Sequence, residues 1–504
     1  MTSEYISREQ KGLNRRQFLQ TGAAATGAVA MSGLRMKPSY AEESVHKPNI
    51  VIIMTDQQNI DTISAHQHYF THEAHGCRWL STPNLDRLAA RGISFLESHV
   101  ANPVCSPSRS TFFTGRMSIE SSVTTNNVGI DKDVPNMGQW FEANSDYARV
   151  YCGKWHAGGQ WNYPLVSGDR KIPGFDTLPA AARGTGDLAD YQVSGAVEAF
   201  VRNYNESDPF LIVAGLMNPH DICYWTPPLG GKVLVPDWDV FDLQDQLPPL
   251  PPNFDYDFPE PRDQRVRSFN EMNWRNYTYE YYRMVEKVDA DVGRILDAVD
   301  SRDDDTLVIF TSDHGEGAGR HMRVQKWHPY DESVKVPLII SCPGRVVENV
   351  VDTSHLVNGV DIMSTVCEYA GIPAPPHARG RSLKPLLSGN SPDFWSDNVY
   401  AEIQQTGRMI RTADYKYVKF YQFSGDSEKP FLMADDTHTQ FEPGNGHLYQ
   451  EHPVRLLFDM KNDPWETKNL FDDPHYADVM ASHEKILREQ YEARLIPGTN
   501  FNRN

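Results

Sequence analysis

No run of eighteen or more apolar residues occurs in this chain, so no segment reads as a membrane span. Positive charge is scarce as well. The 48 Lys and Arg stand against 67 Asp and Glu, a net −19, which excludes the broad basic face that nonspecific nucleic-acid binding needs. Cysteine is sparse, with six residues at 77, 105, 152, 223, 342 and 367. Their spacing is irregular and lacks a C-x-x-C pair, so the zinc-ribbon pattern is absent and no disulfide framework can be read. Internal repeats are lacking too. What remains is an acidic chain of 504 residues, 39% hydrophobic and 23% charged, which suits a soluble globular protein of two or three domains. Any anionic ligand has to be captured by local cations within a repulsive surface.

The first forty residues differ from the rest. Arg15-Arg16, Phe18-Leu19, an Ala/Gly-rich stretch from Thr21 to Gly33 and Ser39-Tyr40-Ala41 follow the order of a twin-arginine export signal with its peptidase site. Residues 1–41 are therefore expected to be a signal peptide, and the protein to be periplasmic or secreted from a bacterium. Such export carries folded proteins, which suits a chain modified or metal-loaded beforehand. The leader holds six Lys/Arg and two Asp/Glu, so its loss leaves a still more acidic chain.

Beyond it, Pro48 to Thr55 is a short Ile/Val-rich run ending at Asp56, the pattern of a buried parallel strand with an acid at its carboxyl end. Thr82-Pro83 opens a helical stretch that Gly92 stops. Further strands are expected at Ile93–Leu96, Ala148–Cys152, Phe210–Leu216, Thr306–Thr311 and Val336–Ser341, with helices at Ser194–Tyr204 and about Trp274–Val299. Apolar strands alternating with amphipathic helices predict a doubly wound, mostly parallel α/β sheet flanked by helices. In such sheets ligands sit outside the carboxyl ends of the strands. Residues 225–262, dense in Pro, Asp and aromatics, read as a long ordered loop. The pattern changes near residue 390: Met409 to Phe420 predicts two short strands about a turn, and Tyr476–Arg494 a terminal helix. We expect a catalytic α/β domain over 42–390 and a smaller α+β subdomain with an antiparallel sheet over 391–504.

The residues Cys105-Ser106-Pro107-Ser108-Arg109, continued by Ser110-Thr111-Phe112-Phe113-Thr114-Gly115-Arg116, form a C-x-P-x-R pattern ahead of a helix. Taken alone, such a cysteine reads as a small buried hydrophobe. Together with Pro48–Gln57, Ser81–Arg116, Gly153–His156, Pro219–His220, Thr311–Pro337 and Leu457–Leu470, in that order, it resembles the type I, formylglycine-dependent sulfatases. The resemblance spans Pro48 to about Leu470. It implies an alkaline-phosphatase-like fold and the oxidation of Cys105 to formylglycine by a formylglycine-generating enzyme. The hydrated aldehyde attacks sulfur with one hydroxyl and expels sulfate through the other.

The same resemblance assigns the rest of the site. Asp56, Gln57, Asp313 and His314, with residue 105, fall at the family's cation-binding positions, and hard oxygen donors suit calcium, with manganese or magnesium as alternatives. Family members often carry Asp where Gln57 stands and Asn where His314 stands. Asp313 would accept the attacking hydroxyl's proton, and Arg109 would hold the formylglycine through its donor fork. Lys154 and His156, which point the same way at strand spacing, would face the sulfate, His156 taking the proton of the second hydroxyl. His220 and Lys326 would contact the bridging oxygen. We favour His220 as the acid because an ordinary imidazole titrates near neutrality. Singly, each is more simply read as a structural histidine or a solvated lysine.

Other features carry less. His66, His68, His72 and His75 give no zinc spacing, though they could line a pocket. His321 and His328 flank Lys326 and could border the site or belong to a surface loop, and Trp225 and Trp274 could stack on sugars or belong to a core. The expected function is hydrolysis of sulfate esters, of a sulfated carbohydrate in view of the export signal and the long loops, with a small molecule or an oligosaccharide as substrate. Rivals are a phosphonate monoester or phosphodiester hydrolase, an N-sulfamidase, and a noncatalytic sulfated-glycan binder.

Overall fold

The structure is a computed structural model that describes residues 47–70, 79–158, 172–180, 185–226, 247–254, 266, 268–390, 392, 394–403, 407–423, 431–433, 439–440, 451–452 and 455–492. The expected leader, His72, His75 and most of the 225–262 stretch lie outside the described residues. In chain order the first strands are β1 (Asn49–Asp56), β2 (Ile93–Phe95), β3 (Ser98–His99), β4 (Ala148–Gly153), β5 (Asp176–Thr177), β6 (Phe210–Pro219), β7 (Thr306–Ser312), β8 (Leu338–Ser341), β9 (Val350–Asp352) and β10 (Val357–Asn358). All but β3 and β10 form one sheet, ordered β5-β4-β6-β1-β7-β8-β2-β9.

Every residue of β1 is buried. Its side chains alternate between faces: Ile50, Ile52 and Met54 enter one core, Val51 and Ile53 the other. A strand apolar on both faces belongs in the middle of a layered sheet, and β1 lies between β6 and β7, parallel to both. One face is covered by α1 (Pro83–Ala90), α4 (Gly186–Asn203) and α5 (Glu271–Asp300), through Leu85, Leu88, Val193, Val197, Val288 and Val292. The other is covered by α2 (Cys105–Thr114) and α3 (Met137–Asn144), through Phe112, Phe113, Met137 and Phe141. The sheet is mostly parallel, as expected, except that β8 runs antiparallel to both β7 and β2. An apolar run carries no sign of strand direction.

The C-terminal subdomain is antiparallel. Strands β11 (Asn398–Ile403), β12 (Gly407–Thr412), β13 (Tyr415–Phe423) and β14 (Phe431–Met433) follow one another in the sheet, β15 (Thr439–Gln440) and β16 (Glu451–His452) pair separately, and β17 (Arg455–Asp459) pairs with β13. The expected hairpin is present, with Arg411 opposite Lys416. The terminal helix runs from Ala477 to Ile486 and continues as a wider turn over Leu487–Glu492.

Buried charge joins this sheet to the segment that carries Lys326. Lys416 of β13, wholly buried, reaches Asp331 at 2.5 Å and Glu466 at 2.6 Å. His321 stacks on Tyr330 at 3.9 Å and meets Glu332 at 2.7 Å. That explains His321 as a structural contact rather than a pocket wall. Burial would raise the Glu332 carboxyl, but the imidazolium of His321 overrides it and holds it down to about 2, from 4.5. Its folded value lies below its unfolded one, so the pair's stabilisation is present above about pH 4.5 and lost as pH falls toward 2. Glu332→Gln is expected to remove roughly 3 kcal/mol at neutral pH and to flatten the acid limb of a melting-temperature profile. Parallel profiles for variant and parent would refute the pairing.

Candidate active site

Four neighbouring strands end at one place. Asp56 closes β1, Asp313 follows β7, His220 follows β6 and Lys154 follows β4, so the crevice at their carboxyl ends is lined by two acids and two nitrogen bases. The register that pairs Thr55 with Ser312 sets Asp56 beside Asp313. Close approach of β4 and β6 sets Lys154: Gly153 has φ +95°, and a Cβ there would lie 2.0 Å from the Gly215 carbonyl. Strand β4 stops at Gly153, and His156 has φ +52°, so Lys154 and His156 do not share a strand face as their spacing suggests. A turn brings both toward residue 105 instead.

Cys105 is the first residue of α2, which Gly115 ends with φ +67°. Its sulfur lies 3.1 Å from His314 Nε2 and 4.0 Å from Asp56 Oδ1. The rings of His156 and His220 also lie against it. One turn further along α2, Arg109 is fully buried. Its Nε donates to Asp313 Oδ2 at 2.8 Å, Nη2 to Asp56 Oδ2 at 3.2 Å and Nη1 to the Lys154 carbonyl at 2.8 Å. The fork thus clamps the two acids, which in turn border residue 105. Lys154 Nζ lies 2.5 Å from Asp56 Oδ2, and Lys326 Nζ donates to Gln57 Oε1 at 2.5 Å.

Burial alone would raise Asp56, but Lys154, His220, His314 and Lys326 hold it well below the carboxylate range. Asp313 goes the other way, pushed up to about 7 by burial and by Asp56 beside it. Burial and Asp56 oppose ionisation of the Cys105 thiol, yet Lys326, Lys154 and His314 bring it well below its ordinary value. His220 is pushed down to about 4 by burial and by Lys154 and Lys326. Burial and the two ammonium groups thus disfavour a proton on this ring, and the charge of a bound anion would favour one.

The ligand atoms of Asp56, Cys105, Asp313 and His314 lie within 4.8 Å of one another, all buried, and this is the one such grouping among the described residues. Two carboxylates, an imidazole and the nearby Gln57 amide make a donor set that fits a divalent cation. His66, buried, and His68, exposed beside Tyr69, do not join any such group. Trp274 is core, packed on Phe254, Phe269 and Tyr277, with Trp225 against the same cluster.

The sulfatase family profile matches residues 48–372, and the C-terminal profile of N-sulphoglucosamine sulphohydrolase matches 319–438. The chain belongs to the sulfatase family. This sulfatase, a hydrolase of sulfuric esters, is 28% identical over 479 residues to the Delta 4,5-hexuronate-2-O-sulfatase of Bacteroides thetaiotaomicron, covering 89% of each chain. It is 24% identical to that organism's N-acetylglucosamine-6-O-sulfatase, across 89% of this chain and 87% of the other. Among solved structures it is similar to a 2-O glycosaminoglycan sulfatase, with a TM-score of 0.68, 26% identity and coverage of 88% and 92%. The phosphonate monoester hydrolase of Agrobacterium radiobacter shares the fold, with a TM-score of 0.61 at 21% identity over 88% and 95%.

All ten site residues singled out in the sulfatase's sequence gather around residue 105. Sequence reasoning missed several that hold them. Tyr281 donates to the Gln57 carbonyl at 2.8 Å, Asn127 meets His156 Nε2 at 3.3 Å, and Cys223 lies 3.2 Å from Gln57 Nε2. Glu316, two residues beyond His314, meets Gln57 Nε2 at 2.5 Å. Only its nearness to the Asp313-His314 pair marked it in the sequence.

Proposed function

We propose that this sulfatase releases sulfate from a sulfated carbohydrate, using an aldehyde derived from Cys105 and one divalent cation, calcium first. The observation that carries this reading is the position of the Cys105 sulfur, 3.1 Å from His314 and beside Asp56, with Lys154 and the two histidines around it. Oxidised and hydrated, position 105 would supply an attacking hydroxyl and a second hydroxyl for expelling sulfate. Asp56, Gln57, Asp313, His314 and residue 105 would hold the cation, which supplies Lewis-acid charge at a sulfate oxygen.

The chain's own residues do the rest. Lys154 and Lys326 bring fixed positive charge to where negative charge grows in the transition state. Asp313, whose Oδ2 is held by Arg109 while Oδ1 faces His314, takes a proton from the group at 105. His156 stands where it can take the proton of the second hydroxyl. His220, or Lys326 beside it, protonates the leaving alcohol once the substrate's charge is in place. The relatives' names point to 2-O-sulfated hexuronate or 6-O-sulfated N-acetylglucosamine as the sugar class. A second reading, cleavage of N-sulfate, draws support from the match over 319–438. Export through the 1–41 leader and maturation by a formylglycine-generating enzyme belong to the same proposal.

Protein from its native host, with an aldehyde at residue 105 detected by a hydrazide probe, is to be assayed on 2-O-, 6-O- and N-sulfated saccharides and on an aryl phosphonate monoester. Sulfate release from an O-sulfated sugar is expected. Active protein without the aldehyde, or faster turnover of the phosphonate, would overturn the proposal.

A further inference from the structure

Gln57 introduces a difficulty that a carboxylate would not have. A carboxylate offers oxygen from either end, whereas an amide offers oxygen from one end and N–H from the other. The wrong end facing the site would put a donor beside a cation and beside the Lys326 ammonium. Cys223 Sγ lies near both ends, 3.2 Å from Nε2 and 3.5 Å from Oε1, but Lys326 and Glu316 distinguish them. Lys326, which can only donate, meets Oε1 at 2.5 Å, and Glu316 Oε2 meets Nε2 at 2.5 Å.

Glu316 is itself fixed. It is fully buried, and its Oε1 accepts from Gln325 N at 2.6 Å, Tyr277 Oη at 2.9 Å and Ala318 N at 3.2 Å. Three donors on Oε1 leave Oε2 as the acceptor for Gln57. Its backbone is tied to Asn59, which accepts from Glu316 N at 2.5 Å and donates to the Glu316 carbonyl at 2.8 Å. Gln325, left-handed at φ +64°, is the residue before Lys326. One carboxylate therefore holds the Gln57 amide and the backbone that delivers Lys326.

We propose that Glu316 is a positioning residue that selects the orientation of the Gln57 amide, turning its oxygen toward the cation site, and ties that choice to the placement of Lys326. The proposal rests on the cation reading above. Glu316→Gln keeps the shape but changes the chemistry. Its single oxygen is claimed by the three donors, so its NH2 faces Gln57, whose amide must turn and present N–H to the site. Calcium affinity, measured by titration calorimetry on the full chain, is expected to fall about 10- to 100-fold.

The swap Gln57→Glu with Glu316→Gln restores a matched pair and an oxygen at both ends of residue 57. The double variant is expected to bind calcium within about threefold of the parent. A role in folding alone would weaken both variants alike. Calcium bound equally well by Glu316→Gln and the parent, or equally weakly by the single and double variants, would overturn the proposal. A parent that binds neither calcium nor manganese would overturn the cation reading and this inference with it.

Discussion

Cys105→Ala is expected to lower sulfate-ester turnover by on the order of 10⁴- to 10⁶-fold, the range seen when a covalent catalyst's nucleophile is removed. Among the described residues the other thiol near the crevice, that of Cys223, lies against the Gln57 side chain instead. The lysines and histidines around the Cys105 sulfur carry neither hydroxyl nor thiol, and Asp56 and Asp313 are held by Arg109. The fold should survive, because residue 105 sits in the first turn of α2 and alanine is a good helix former. Loss of a buried sulfur costs about 1 kcal/mol. Calcium binding should also persist, since Asp56, Gln57, Asp313 and His314 remain. Sulfate release assays, thermal unfolding and calcium titration of one preparation test all three parts. Near-parental turnover would remove Cys105 from the chemistry. A collapse of both fold and calcium binding would show that the residue is structural.

Much of the fold was legible because its central strands are buried on both faces. A run such as Asn49–Asp56 has no other stable place than the middle of a layered sheet, and its closing acid then falls at the crevice. The antiparallel β8 was not legible, since Leu338–Ser341 is equally apolar in either direction. In the site, Asp56 and Asp313 could be placed by strand ends alone. Cys105, Lys154, His156, His220 and Lys326 could be joined only by resemblance, since 221 residues of sequence, Cys105 to Lys326, separate the outer two of these. The turn after Gly153 defeated a period-two argument, because a left-handed residue ends the strand just before the residues of interest. Glu316 and the His321–Glu332 pair act through side chains in the interior, and burial of a charged residue leaves no periodic trace. Trp274 shows the converse: an aromatic beside a Pro-rich stretch invites a ligand role, yet its burial against the rings of Phe254, Phe269 and Tyr277 makes it core.

Arg109→Met is expected to destabilise the protein by about 3–5 kcal/mol, the cost of removing one member of a buried charge cluster in which Asp313 loses its guanidinium and Asp56 keeps Lys154. Its guanidinium takes Oδ2 of both acids, so Oδ1 of each turns the other way: Asp56 Oδ1 toward Cys105 and His314, Asp313 Oδ1 toward His314 and the backbone N–H of Gln57. Divided in this manner, the two carboxylates face Arg109 with one edge and the proposed cation site with the other. Methionine fills similar space without donors, leaving Asp56 and Asp313 in mutual repulsion. Arg109→Lys separates geometry from charge. A single ammonium cannot reproduce the planar fork, so part of the stability should return while turnover stays on the order of 10²-fold down from misaligned acids. Calcium should stabilise Arg109→Met against heat more than it does the parent, because the ion supplies charge that the two acids have lost. An equal calcium-induced shift in parent and variant, or full activity in Arg109→Lys, would show that the fork does not set the two carboxylates.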